Sequence, residues 1–283
     1  MSRVALKALA GRIARMRITR SVVGNLIYPT IAGCLRDEIQ PDLPSPSGVA
    51  EALAWKSHAY LVLNEELRAT GKNCAVDRMR SDRETRSRML DVILSHIEKV
   101  QGDILEFGVY QGESLRLLAE RCADRIVYGF DSFEGLPQAW WTQPKGAFKV
   151  PPPNINKHNV RLIQGLFDET LPQFLSTWSN RAALIHVDCD LYASTRCCLL
   201  QLLPRCQIGT VVLFDEYYNY PEFAGHEWLA WREIRGLYGV VAPCIAYDGK
   251  RAAFEVKHLG ALGQTVPPCR EADEPKSSVR QPV

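Results

Sequence analysis

Short apolar runs, most of them closing on an acidic residue, recur from residue 103 onward and set the expected architecture. They lie at residues 103–108 (Asp-Ile-Leu-Glu-Phe-Gly), 125–130 closing in Asp131, and 160–164. Two more follow: residues 183–187, ending in Asp188-Cys189-Asp190, and residues 210–214, ending in Asp215-Glu216. Uninterrupted runs of this length predict strands buried on both faces. Helical patterns alternate with them at residues 115–122, in the stretch that ends at Trp178, after Ser194-Thr195, and at residues 225–237. The alternation predicts an α/β fold, a doubly wound and mostly parallel sheet of Rossmann-like form. Two late extended runs, 240–247 and 251–257, are joined by Asp248-Gly249-Lys250, a strong hairpin signal. Helical patterns at residues 49–70 and 83–100 precede the first strand and are expected to form a helical cap over the sheet.

The ends of the chain read differently. Residues 1–36 hold no acid but seven arginines and lysines, with Leu6, Leu9, Ile13 and Met16 at helical spacing. This predicts a basic amphipathic extension over residues 1–40, resting on an anionic membrane face or a partner; an ordinary docked helix with a solvated basic face is the plainer alternative. Residues 41–48 are a Pro/Ser linker leading into the cap (41–100), and the main domain spans 101–259. The polar, Pro-rich residues 260–283 are expected to form a disordered tail. No apolar stretch is long enough to span a bilayer. A net charge of +2 argues against nucleic acid as a partner. Nine cysteines without C-x-x-C or zinc spacing read as reduced thiols in a cytoplasmic compartment.

The candidate chemistry sits at the strand ends. Asp188 and Asp190 are two apart, so an extended chain would aim both to one side. With Asp215 and Glu216 on a neighbouring strand end, they suggest a hard-cation site. Capping of the following helices is the alternative use of such carboxylates. The turn Gly108-Val109-Tyr110-Gln111-Gly112-Glu113-Ser114 is glycine-rich but lacks the G-x-G-x-x-G fingerprint. Glu106 before it is placed to pair with a cationic ligand group. Asp131, about 20 residues past the turn, is placed to hold ribose hydroxyls. A nucleoside pocket without phosphate-binding apparatus favours S-adenosylmethionine over a dinucleotide. Leu166, Phe167 and Asp168, straight after the third strand, are candidates to border an adenine. The long loop 135–153, carrying Trp140 and Trp141, is expected to be a lid, an acceptor wall or packing for the cap.

Five segments carry a family resemblance: Glu106 to Ser114, Asp131-Ser132-Phe133-Glu134-Gly135-Leu136-Pro137, Gly165 to Pro172, Val187 to Thr195, and Phe214-Asp215-Glu216-Tyr217. In order and spacing, over about residues 76–256, the chain resembles the macrocin-type (TylF/MycF/NovP-like) sugar O-methyltransferases of the class I S-adenosylmethionine-dependent enzymes. The resemblance implies S-adenosylmethionine held by Glu106, Gly108, Tyr110, Ser114, Asp131, Ser132, Phe167 and Asp168, with Met79 in a covering segment. It implies Mg2+ on Asp188, Asp215 and Glu216, and Asp190 as general base. The chain departs from it at Glu216, where the family has Asp, and at His186 and Cys189. The expected reaction is Mg-assisted O-methylation of a small glycosylated or polyol acceptor with vicinal hydroxyls, by a homo-oligomer. A catechol-type phenol methyltransferase and a cofactor-binding protein without turnover remain the alternatives.

Overall fold

The computed structural model describes residues 56–63, 65–66, 75–76 and 81–260. The basic extension, the linker, Met79 and the tail lie outside the described residues. By internal contacts the chain divides into two compact units, 1–57 and 58–283, and the second holds the whole sheet. Among the described residues no helix is long and apolar enough to cross a membrane.

The predicted alternation is observed. In order come α1 (Asp82–Ile97), β1 (Asp103–Phe107), α2 (Glu113–Arg121), β2 (Val127–Asp131), β3 (Val160–Gln164), α3 (Phe167–Thr177), β4 (Ala182–Val187), α4 (Tyr192–Leu202), β5 (Val211–Phe214), α5 (Glu227–Tyr238), β6 (Cys244–Tyr247) and β7 (Ala252–Glu255). The seven strands form one sheet in the order β3-β2-β1-β4-β5-β7-β6. All pairings are parallel except those of β7, which is antiparallel to both β5 and β6. The hairpin announced by Asp248-Gly249 is therefore present, with strands shorter than the apolar pattern suggested. Strands β1, β4 and β5 are buried at every position, as continuous apolar runs require.

Helix α1 is the described part of the helical segment expected over residues 83–100. Ser81 accepts from the Glu84 amide at 3.2 Å, the Ser-x-x-Glu start signal, and sets the first turn. Its buried residues Met89, Leu90, Ile93 and Ile97 pack with Ile104, Leu184, Val211 and Ala253, so α1 is part of one helical layer of the sheet.

The order of strands reverses between β1 and β4, the crevice where open α/β sheets take ligands. Backbone ladders continue past the strand ends there: Asp188 N–H donates to Phe107 O at 2.8 Å and Asp215 N–H to Val187 O at 3.0 Å. The three tips are thus held side by side. Gly108 makes this possible, with φ at +92° and an ideal Cβ that would fall 1.7 Å from the Asp188 carbonyl oxygen. The glycine is needed for contact between strand tips rather than for a ligand's approach. Gly108→Ala is expected to cost about 1–3 kcal/mol in backbone strain alone, read by chemical denaturation; an unchanged midpoint would refute the reading.

Candidate active site

One cleft of about 310 Å³ opens over this switch point, a size suited to a small ligand. At one end it is lined by Gly108, Tyr110, Ser114, Asp131, Ser132 and Phe167, and at the other by Asp188, Asp190, Asp215, Glu216 and Lys250. The structure therefore brings both groups of sequence-derived candidates to one place. Phe167 is fixed by edge-on packing against Phe107, whose ring stacks on Phe130 at 4.8 Å. Asp131 accepts from the amides of Val109 and Tyr110, each at 2.8 Å, and of Phe133 at 2.7 Å. It thereby holds the glycine-rich turn, while part of its four-site acceptor capacity stays open to the cleft. Asp168, next to Phe167, does not line the cleft, and its buried Oδ1 has no hydrogen-bond partner among the described residues.

Glu106 differs from expectation. It is fully buried, does not line the cleft, and spends its carboxylate internally. Ser114 Oγ donates to it at 2.8 Å, and His186 Nδ1 lies 3.3 Å from its other oxygen. His186 is also fully buried, with Nε2 3.9 Å from Asp215 Oδ1. Burial alone would lower its pKa, but Asp215 and Glu106 outweigh that and push it up to about 10.

The acids reach the cleft by a route the strand pattern does not encode. Strand β4 ends at Val187, and Asp190 has φ +63°. Leu191 N–H donates back to Cys189 O at 2.6 Å, a three-residue turn centred on Asp190. Strained turns of this kind concentrate at functional sites. Glu227, which the sequence reading passed over, holds this turn. Fully buried at the start of α5, it accepts from the amides of Asp190 at 3.2 Å and Glu216 at 3.3 Å, linking two strand tips. Burial pushes its carboxyl well up, and the surrounding acids add to this. Its only sequence signal was an acid in the first turn of a helix.

Three cationic side chains were also missed. Asp215 accepts from Arg251 Nε at 2.6 Å, Arg86 Nη2 at 2.9 Å, Lys250 Nζ at 3.3 Å and Arg251 Nη2 at 3.4 Å. Lys250 Nζ also donates to Glu216, and Arg86 Nη2 lies 3.9 Å from Asp188. Burial would raise the Asp215 pKa, yet Arg86, His186, Arg251 and Lys250 hold it well below the usual carboxylate range. Asp188 is pushed up to about 6 by burial and by Asp215, and Asp190 to about 8 by burial and by Asp188.

This pattern does not fit a divalent ion on Asp188, Asp215 and Glu216. Both Asp215 oxygens already accept from cations, and an ion there would adjoin three positive side chains. Two other sets have ligand atoms within 4.8 Å of one another: His186, Asp188 and Asp215, and Asp188, Asp190 and Glu216. Each includes a carboxylate that an internal cation already neutralises.

The aromatic segments form the outer wall. Trp140 is buried and lines the cleft, whereas Trp141 is exposed, so the loop 135–153 is a wall of the site. Trp140 packs on Tyr220 at 5.6 Å, joining this loop to the tyrosine-rich segment. Cys189 lines the cleft too, its Sγ 3.4 Å from Thr195 Oγ1. All six described cysteines are buried and unbridged.

Comparison with known proteins agrees with this geometry. Residues 105–217 match a methyltransferase domain family, and residues 50–150 match the macrocin O-methyltransferase (TylF) family. The chain is 29% identical over 195 residues to 8-demethyl-8-(2,3-dimethoxy-alpha-L-rhamnosyl)-tetracenomycin-C 4'-O-methyltransferase of Streptomyces olivaceus, covering 60% of this chain and 70% of that one. It is 29% identical over 147 residues to demethyldecarbamoylnovobiocin O-methyltransferase of Streptomyces niveus, covering 43% of this chain and 55% of that one. Among solved structures, the calicheamicin methyltransferase CalS11 superposes with a TM-score of 0.54 at 23% identity, covering 76% of this chain and 97% of that one. The O-methyltransferase NovP superposes with a TM-score of 0.50, also at 23% identity, covering 62% of this chain and 79% of that one.

Proposed function

We propose that the chain, which matches the macrocin O-methyltransferase (TylF) family over residues 50–150, is an S-adenosylmethionine-dependent enzyme that methylates a sugar hydroxyl of a small glycosylated molecule. The observation that carries the reading is the single cleft in which the nucleoside-type residues and Asp190 face one space. The relative from Streptomyces olivaceus is named for 4'-O-methylation of a rhamnosyl compound, which supports the acceptor class.

Bound S-adenosylmethionine supplies a methyl group on a positively charged sulfur, which departs as a neutral thioether. Asp131 and Ser132 would take the ribose and Phe167 the adenine, all three lining the cleft. Gly108, Tyr110 and Ser114 border the remaining part of the cofactor. Glu106 acts one step back, orienting Ser114. Asp190 takes the acceptor's hydroxyl proton while the oxygen forms its new bond to carbon. The electron pair of the broken carbon–sulfur bond stays with sulfur. Transfer requires oxygen, carbon and sulfur in line, so Trp140, which lines the cleft and is backed by Tyr220, contributes by fixing the acceptor.

Mass spectrometry of products from diol sugars, glycosylated small molecules and catechols tests the reading. Methylated sugar products are expected; methylation of catechols alone would replace it with the phenol reading. The pH profile is a second prediction. A base must be deprotonated, and burial with the charge of Asp188 lifts Asp190 to about 8. Turnover should therefore rise with pH through about 8 and level above it. A profile already flat from pH 6 would exclude Asp190 as the base.

A further inference from the structure

The misfit between the expected metal ligands and the observed charges has a specific author within the chain, Lys250. Its backbone is fixed before its side chain is considered. The Lys250 amide donates to Asp248 Oδ1 at 2.8 Å, and its carbonyl accepts from the amides of Tyr217 at 2.9 Å and Tyr218 at 3.3 Å. Asn219 Nδ2 donates to the next carbonyl back, that of Gly249, at 2.6 Å, and Tyr218 Oη donates to the Asp248 carbonyl. The β6–β7 turn is thus clamped onto the segment that leaves β5. From that position the ammonium reaches Asp215 Oδ2 at 3.3 Å and also Glu216 Oε1.

An ammonium has three N–H donors. Two are given to Asp215 and Glu216. The side chain is 33% exposed and lines the cleft together with Asp190, so the third donor is available to a ligand there. The position between the β5 acids is therefore filled by a tethered monovalent cation. Arg86, on the same Asp215 oxygen as Lys250, and Arg251, with Nε on the other, complete the neutralisation of Asp215.

We propose that Lys250 stands in for a divalent ion: its ammonium neutralises Asp215 and Glu216 and donates to the acceptor oxygen, so methyl transfer needs no metal. The inference rests on the methyl-transfer reading above for its chemistry, but its metal half is measured independently of turnover. An N–H donor beside the reacting hydroxyl favours the developing oxyanion, the role a Lewis acid would otherwise fill.

The test is Mn2+ titration followed by electron paramagnetic resonance, with S-adenosylhomocysteine present, on the wild type, Lys250→Met and Lys250→Arg. The wild type should leave the free Mn2+ signal unchanged, and its product formation should be unaffected by exhaustive chelation. Lys250→Met vacates the position between the acids, so it should bind Mn2+ at least about tenfold more tightly. Its turnover should fall about 100-fold in chelator and recover with added Mg2+. Lys250→Arg keeps the charge and should behave as the wild type in the Mn2+ titration. Saturable Mn2+ binding by the wild type, with product formation lost on chelation, overturns the proposal. Equal Mn2+ affinity in the wild type and Lys250→Met overturns it as well. If no acceptor in the panel is methylated, the functional reading fails, while the Mn2+ titration of the wild type still decides whether the site is closed to a divalent ion.

Discussion

Asp190→Asn is expected to lower turnover by about 10²–10⁴-fold, the usual contribution of a positioned general base, while S-adenosylmethionine binding by calorimetry stays unchanged. Asparagine suits the test because the backbone is not disturbed. Asp190 sits at φ +63°, and Asn tolerates the left-handed region as Asp does. The amide bond to Glu227 uses the backbone of residue 190 and survives the change. Only the proton acceptor is removed. Retention of more than about a tenth of the activity would move the base elsewhere, with Asp188, pushed up to about 6, the next carboxylate in the cleft. A parallel loss of cofactor binding would mean that the variant had disturbed the turn after all.

The second large effect concerns stability. Arg251 is 1% exposed and donates to Asp215, to Asp248 at 3.0 Å and to Asp82 at 2.7 Å. Arg251→Ala takes one of several counter-charges from the buried Asp215 and the arginine partner from Asp248. Removing one partner of a buried charge network costs about 3–5 kcal/mol, and at this size that lowers the melting temperature by about 10 °C. The pH dependence follows from Asp215, whose folded pKa lies well below 3.8. A depressed carboxylate stabilises the fold above its unfolded pKa, and that contribution is lost as pH falls through the folded value. Without Arg251 the depression shrinks, so the difference between variant and wild type should narrow on going from pH 7 to pH 3. Denaturation midpoints at the two pH values measure it. A gap that widens in acid would show that Arg251 acts through packing instead.

Much of the architecture was legible because burial on both faces leaves an unambiguous signature. The runs at residues 183–187 and 210–214 are apolar without interruption, and β4 and β5 are buried throughout. Asp248-Gly249 marked the hairpin, since few dipeptides favour so tight a reversal. The cofactor end was legible for a similar reason: Gly108, Tyr110, Ser114, Asp131, Ser132 and Phe167 follow the strands that carry them, and all line the cleft. The charge network was not. Asp82, Arg86, Lys250 and Arg251 come from opposite ends of the domain and meet only because α1 and the β6–β7 turn pack around β5. The cations around the expected metal ligands could not be foreseen, since strand-end acids look alike in sequence whether a metal or an arginine answers them. The burial of Glu106 was hidden for a related reason, as its partner His186 is 80 residues away. Asp190 reached its expected place by a turn rather than by strand periodicity.

The two anchors around the tyrosine-rich segment bear on how such an enzyme can change its acceptor. On one side Tyr217 to Asn219 are tied to the β6–β7 turn, and on the other Glu227 grips the amides of Asp190 and Glu216. Residues 220–225 run between these posts, with Tyr220 against Trp140 and Phe223 buried, and carry none of the acids that line the cleft. Swapping or lengthening that stretch would remodel the acceptor end and leave the reacting geometry in register. A lineage, or an engineer, has there a place to explore new acceptors at little risk to the chemistry.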